Sequence, residues 1–184
     1  MGAGGYKIRT QTLPHFITFA VVEWVDVFTR KMYCDMLLDS IRFCQQQKGM
    51  NLYAWCLMSN HLHLIISSRS GDLSGLLRDF KKFTSKQIIT AIEENMKESR
   101  RGWMLEIFRK QGAANSRNKE YQFWRQENQP QELFGAKFIF QKLNYIHRNP
   151  VEAGLVELPE HYVYSSAKDY TEKRKCGLLE LLWI

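Results

Sequence analysis

The chain has 184 residues, 45% of them hydrophobic, which is enough for one domain with a real core and no disulfide staples. Its 26 Lys and Arg outweigh 19 Asp and Glu, and the formal charge of +7 favours a polyanionic partner. Cys34, Cys44, Cys56 and Cys176 lie far apart with no Cys-x-x-Cys spacing, which argues against a zinc knuckle or redox pair and for reduced thiols.

The N-terminal Met1-Gly2-Ala3-Gly4-Gly5-Tyr6 stretch has no charged-then-apolar leader layout, and no apolar run reaches bilayer length. A cytoplasmic protein without a membrane partner is therefore expected. Residues 15–22, aromatic and β-branched after Pro14, predict a buried strand. A helix follows, capped by Thr29, with Met32, Met36, Leu37, Ile41 and Cys44 at helical spacing and a stop at Gly49. Residues 53–58 and 61–67 predict a hairpin turning at Asn60. In its second strand His61 and His63 share one face, while Leu62, Leu64 and Ile66 share the other. Two imidazoles on such a mount are half of a divalent-metal site, or else a hydrogen-bonded pair.

A second amphipathic helix is predicted from 72 to about 95, with Leu73, Leu76, Leu77, Phe80, Phe83 and Ile88 on one side. Arg78, Lys82 and Lys86, spaced by four, form a basic stripe that is either a solvated face or a phosphate contact. Residues 97–120 read as an insertion, a short helix over 103–108 followed by a mobile basic loop over 112–119, serving as a DNA-contacting arm or a spacer. A strand is expected over 121–127, with Tyr121, Phe123 and Arg125 on one face for stacking unpaired bases or for the core.

The next helix is predicted over 133–147, with Phe138, Ile139, Lys142, Leu143 and Ile146 inward. It should end near Asn149, because Pro150 disfavours helix at the residue before it. Tyr145 and Asn149, four apart, share a helix face. A phenol can be a covalent nucleophile and a carboxamide oxygen suits a hard cation; a surface tyrosine and a C-terminal Asn cap are the plainer account. A tail from about 157 closes on an apolar run, 178–184, packed on the body. No internal repeat occurs, so one domain over 1–184, α/β or α+β with a central antiparallel sheet, is expected. No P-loop, Gly-x-Ser-x-Gly or dinucleotide fingerprint is present.

Three runs in this order, Met58-Ser59-Asn60-His61-Leu62-His63-Leu64, then Tyr145-Ile146-His147-Arg148-Asn149-Pro150-Val151-Glu152-Ala153-Gly154-Leu155-Val156, then Tyr164-Ser165-Ser166, resemble the single-tyrosine transposases of the HUH superfamily. Within it they resemble the REP-associated tyrosine transposases and their relatives of the insertion-sequence-200 type, over about residues 16–170. The resemblance implies an α+β fold, ferredoxin-like or RNA-recognition-motif-like, with an antiparallel β-sheet flanked by α-helices. It implies single-stranded, hairpin-containing DNA as substrate, with His61 and His63 as ligands of Mg²⁺ or Mn²⁺. Asn149 falls at the third ligand position, where the insertion-sequence branch has glutamine. Tyr145 is implied as the nucleophile, forming a 5′-phosphotyrosine that a 3′-hydroxyl can later resolve. DNA contacts are expected from Arg78, Lys82, Lys86, Arg117, Lys119, Arg125 and Arg148. The family accommodates a monomer, or a homodimer in which the tyrosine completes the partner's site. Two rivals stand beside this reading: a hairpin-binding protein derived from a transposase that does not cut, and a hydrolase in which His61, His63 and Glu127 activate water.

Overall fold

The computed structural model describes residues 8–115, 120–126, 128–172 and 178–184. A four-stranded antiparallel sheet runs in the order β2-β3-β1-β4, with β1 at His15–Ala20, β2 at Met50–Leu57, β3 at His61–Ser68 and β4 at Gln131–Glu132. Helix α1 spans Lys31–Gln47, α2 Leu73–Glu94, α3 Arg101–Ala113, α4 Ala136–Glu152 and α5 Ala167–Glu172. The strand order is that of a ferredoxin-like βαββαβ sheet, an α+β fold as the resemblance implied.

Alternation along the strands sorts side chains into two layers. Ile17, Phe19, Trp55, Leu62, Leu64 and Ile66 enter a large core with α1, α2 and α3. Phe16, Ala54, Cys56 and Ile65 enter a smaller one with Leu143 and Ile146 of α4 on the opposite face. Helix α1 turns Tyr33, Cys34, Leu37, Leu38, Ile41 and Cys44 inward, a 3.6-residue stripe that ends at Gly49, whose φ of +70° suits glycine. Asp72 caps α2 by accepting from the Gly75 amide at 2.8 Å.

Several expectations are corrected. Thr29 does not cap α1; it lies in a 3₁₀ turn, its hydroxyl donating to the Asp26 carbonyl at 3.3 Å, and the helix starts at Lys31. Phe83 is exposed, because the inward stripe of α2 is carried by Phe80, Thr84 and Ile88. The short helix expected at 103–108 is the thirteen-residue α3, whose Met104, Leu105 and Phe108 join the core. At Gly112 a Cβ would meet the Glu120 carbonyl oxygen at 2.5 Å, so only glycine lets the returning chain pass.

No strand forms among the described residues of 121–127. A single bridge joins Trp124 to Val21, and neighbouring Phe123 and Trp124 are both buried, since this segment wraps the rim of the sheet instead of alternating across it. Helix α4 starts later than expected and runs through Pro150 to Glu152. The helix is closed only beyond the proline. Gly154, at φ +70°, donates to the Val151 carbonyl at 2.9 Å and Leu155 to that of Pro150 at 2.9 Å, the paired bonds of a Schellman end.

The tail covers the outer edge of β2. The Leu57 amide donates to Tyr164 at 2.8 Å, the Ser166 amide to Trp55 at 2.9 Å and the Leu182 amide to Leu52 at 2.8 Å, leaving less of that edge open to another chain. Leu179 and Leu181 are buried, as expected of a packed terminal run. Cys34, Cys44 and Cys56 are buried free thiols, pushed by burial up to about 11, 11 and 12; Cys176 lies outside the described residues. No helix among the described residues is long and apolar enough to cross a membrane.

Candidate active site

The second face of the sheet carries the candidate site. His61 and His63 stand side by side on β3, ring centroids 4.6 Å apart, and α4 lies across them. Tyr145 packs edge-on against His63 of its own chain at 5.4 Å and against Phe16 at 5.7 Å, yet is 45% exposed. One turn on, the Asn149 Oδ1 lies 3.3 Å from His61 Nε2. One turn back, the Lys142 ammonium sits 5.7 Å from the Tyr145 ring centre and 4.7 Å from that of Phe16.

Hydrogen bonds define which imidazole nitrogens are free. The Asn60 amide nitrogen donates to Asp26 Oδ1 at 2.9 Å and to the Trp24 carbonyl at 3.2 Å, so its Oδ1 faces His61 Nδ1 at 2.7 Å. Because that oxygen can only accept, the His61 proton is on Nδ1 and a lone pair is on Nε2. The Asn149 side chain lies against that lone pair, its Oδ1 3.3 Å from His61 Nε2, so the amide and the imidazole converge on one point. His63 Nδ1 is bonded to the Thr18 hydroxyl at 2.8 Å, while its buried Nε2 has no partner among the described residues. Burial holds His61 below the ordinary imidazole range, and the contact with Asn149 acts in the opposite, smaller sense. Burial first, then the charges of His61 and Lys142, pushes His63 down to about 3. Both rings are neutral at pH 7 and able to ligate. Two imidazole nitrogens and an amide oxygen fit a divalent cation, and no cluster of three His, Cys, Asp or Glu that could hold a metal occurs among the described residues.

A family model described as "Transposase IS200 like" matches residues 11–127. The chain belongs to the IS200-like transposase family. The matched region carries the histidine hairpin of this transposase and ends before α4, so Tyr145 and Asn149 join the site through the fold alone. The solved structure of a REP-associated tyrosine transposase bound to a REP hairpin superposes with a TM-score of 0.63 at 16% identity, covering 99% of this chain and 92% of that one. This likeness is one of fold. No curated protein matches the sequence.

In the transposase the cationic residues expected to meet DNA are dispersed. Arg148 is exposed on α4 beside Asn149 and lies 3.8 Å from Glu152. Arg125 is exposed at the rim of the sheet, its guanidinium 5.3 Å from the Trp24 ring centre. Arg78, Lys82 and Lys86 lie on α2, which packs on the other face of the sheet; Arg78 there pairs with Asp79 at 3.0 Å. Arg117, Lys119 and Glu127 are outside the described residues.

In the sequence Lys142 counts only as an inward position of its helix, and neither Thr18 nor Asp26 stands out as part of a site. Thr18 was findable, since period-two spacing on β1 puts it on one face with Phe16, and Lys142 stands three before Tyr145 on one helix side. Asp26 had no local signal, because it reaches Asn60 across 34 residues.

Proposed function

We propose that this transposase cuts and rejoins single-stranded, hairpin-containing DNA through a covalent bond to Tyr145. The observation that carries the reading is the packing of a half-exposed phenol against His63, beside the convergence of His61 Nε2 and Asn149 Oδ1 at 3.3 Å in the same chain. Family membership supports DNA processing, and the neighbour of similar fold, bound to a REP hairpin, supports a hairpin substrate.

His61 Nε2, His63 Nε2 and Asn149 Oδ1 would hold Mg²⁺ or Mn²⁺, which when bound supplies positive charge to a phosphate oxygen. The remaining work belongs to the chain. Tyr145 Oη attacks phosphorus, the bond to the 3′ oxygen breaks, and a 5′-phosphotyrosine forms. The phenol proton leaves to solvent and the departing 3′ oxygen takes one up. Because the ester keeps the bond energy of the cut phosphodiester, a 3′-hydroxyl can reverse the step and join strands. Arg125, Arg148 and the α2 stripe would contact the backbone.

The test is incubation of wild type and Tyr145→Phe with labelled hairpin DNAs in Mn²⁺ or Mg²⁺, read on a denaturing gel. A covalent adduct with wild type alone is the expected result. Cleavage without an adduct would favour a water-activating hydrolase, and binding without cleavage a hairpin-binding protein.

A further inference from the structure

Next to His61 the backbone does something unusual. Glu23 and Trp24 are consecutive non-glycine residues in the left-handed region, at φ +51° and +54°. The strained turn holds the Trp24 indole 50% exposed, its ring at 88° to that of His61 with centroids 5.8 Å apart. A large apolar ring kept in water on strained backbone beside a reactive centre serves no packing need.

The same turn walls a hollow of about 390 Å³, lined by Glu23, Trp24, Gln111, Gln122, Arg125 and Gln126. The hollow combines a flat aromatic surface, a guanidinium 5.3 Å from its centre and the carboxamides of Gln111 and Gln126. Its floor is rigid where it matters, since the Arg125 amide donates to the Ala20 carbonyl at 2.8 Å and the Gln111 side chain to Glu23 at 2.7 Å. Gln111 belongs to α3, so the segment expected to be an insertion supplies one wall. Gln122 and Gln126 also line the neighbouring groove that leads to Lys82 and Lys86 on α2.

We propose that this hollow binds one unpaired deoxynucleotide of the DNA strand, its base stacked against the exposed half of the Trp24 indole. Arg125 meets the adjoining phosphate and the carboxamides of Gln111 and Gln126 meet the base edge, Gln122 being held by Asn115 and the Trp124 carbonyl. The site is of a size suited to a small ligand and is largely preformed. The strand then leaves along Gln122 and Gln126 toward Lys82 and Lys86, which gives the basic stripe on the far layer a route to the reaction. This inference rests on the DNA-cutting reading above and adds a nucleotide subsite to it.

The test uses the full chain carrying Tyr145→Phe, so that binding is read without cutting. Hairpins with single-stranded flanks are made with an abasic residue at each flank position in turn, and affinities are measured with and without Trp24→Ala. At one position, base removal is expected to weaken binding by between about 5-fold and about 150-fold in the Trp24 protein and not further in Trp24→Ala, with Trp24→Phe retaining most of the affinity. 2-Aminopurine at that position should lose fluorescence on binding the Trp24 protein, a readout that holds even if Trp24→Ala does not fold. Additive losses at every position, or no quenching at any, would overturn the subsite while leaving the cutting reading intact. Failure of the Trp24 protein to bind any flanked hairpin would overturn both.

Discussion

The two faces of the sheet are built by the same strands and do opposite work. On the α1, α2 and α3 face, Ile17, Phe19, Leu62 and Leu64 are closed off from water and the interactions are non-directional. On the α4 face, the residues between them, Phe16, Thr18, His61 and His63, are partly dry and partly open, with the Nδ1 of each imidazole held by a particular hydrogen bond. The first face tolerates exchanges of similar volume; the second depends on single atoms. A strand can therefore carry stability and chemistry at once, one residue apart.

Tyr145→Phe should break the chemistry of the second face alone. The ring keeps its packing against His63 and Phe16, so the melting temperature and hairpin affinity hold, while strand cleavage falls by roughly three orders of magnitude or more. Unchanged cleavage on the denaturing gel would move the nucleophile elsewhere. Leu64→Ala makes the opposite cut. Deleting a fully buried side chain on the apolar face should cost about 2–5 kcal/mol in denaturant unfolding and leave cleavage per folded molecule near wild type.

Asp26→Ala sharpens the comparison on the polar face. Without that carboxylate the Asn60 amide keeps only its 3.2 Å bond to the Trp24 carbonyl, and its hold on the His61 Nδ1 proton weakens. Mn²⁺ affinity by calorimetry should drop by about 10- to 100-fold, and long-range ¹H–¹⁵N spectra of the metal-free protein should show the change of tautomer. If the His61 tautomer stays as it was, Asp26 has no part in orienting it.

Glu98 probes where the layers meet, at the turn before α1. Its buried carboxylate binds Arg100 at 2.9 Å and Arg30 at 3.4 Å, and Arg100 also donates to the Asp26 carbonyl at 2.6 Å. The Arg100 hydrogen bond holds the carboxyl down at about 2, below its usual 4.5. Its folded form thus releases the proton more readily than the unfolded form, so the stabilisation is complete above pH 4.5 and is lost as pH falls toward 2. Glu98→Gln should cost about 1–2 kcal/mol at pH 7, the partners being partly exposed, and the difference from wild type should vanish on acidification. A gap that persists at pH 2 would mean packing, not charge. The smallest effect is expected from Lys82→Glu with Lys86→Glu. It should weaken DNA binding about tenfold at low salt, and lower the slope of log affinity against log salt by about 2, with cleavage at saturating DNA unchanged.

Local order made much of this molecule legible. The histidine hairpin, the apolar stripe of α1, the start of α2 at Asp72 and the partnership of Tyr145 with Asn149 all follow from periods of two and 3.6. The errors fall where tertiary contact overrides local preference. Pro150 ended the helix on paper because its own turn was weighed without the Gly154 closure beyond it. The 121–127 run looked like a strand because its aromatics suit one, yet Phe123 and Trp124 both turn into the core at the rim.

By itself the sequence determined which side chains could do chemistry and which faces of their elements they occupy, since both follow from residue type and backbone period. Only the tertiary structure decided that α4 crosses the face of β3 and not its opposite, which brings Tyr145 onto His63 across 82 positions in the chain. It also decided which nitrogen of His61 is free, and set the α2 lysines behind the sheet rather than beside the histidines. These outcomes depend on contacts between segments far apart in the chain, and no local period encodes them.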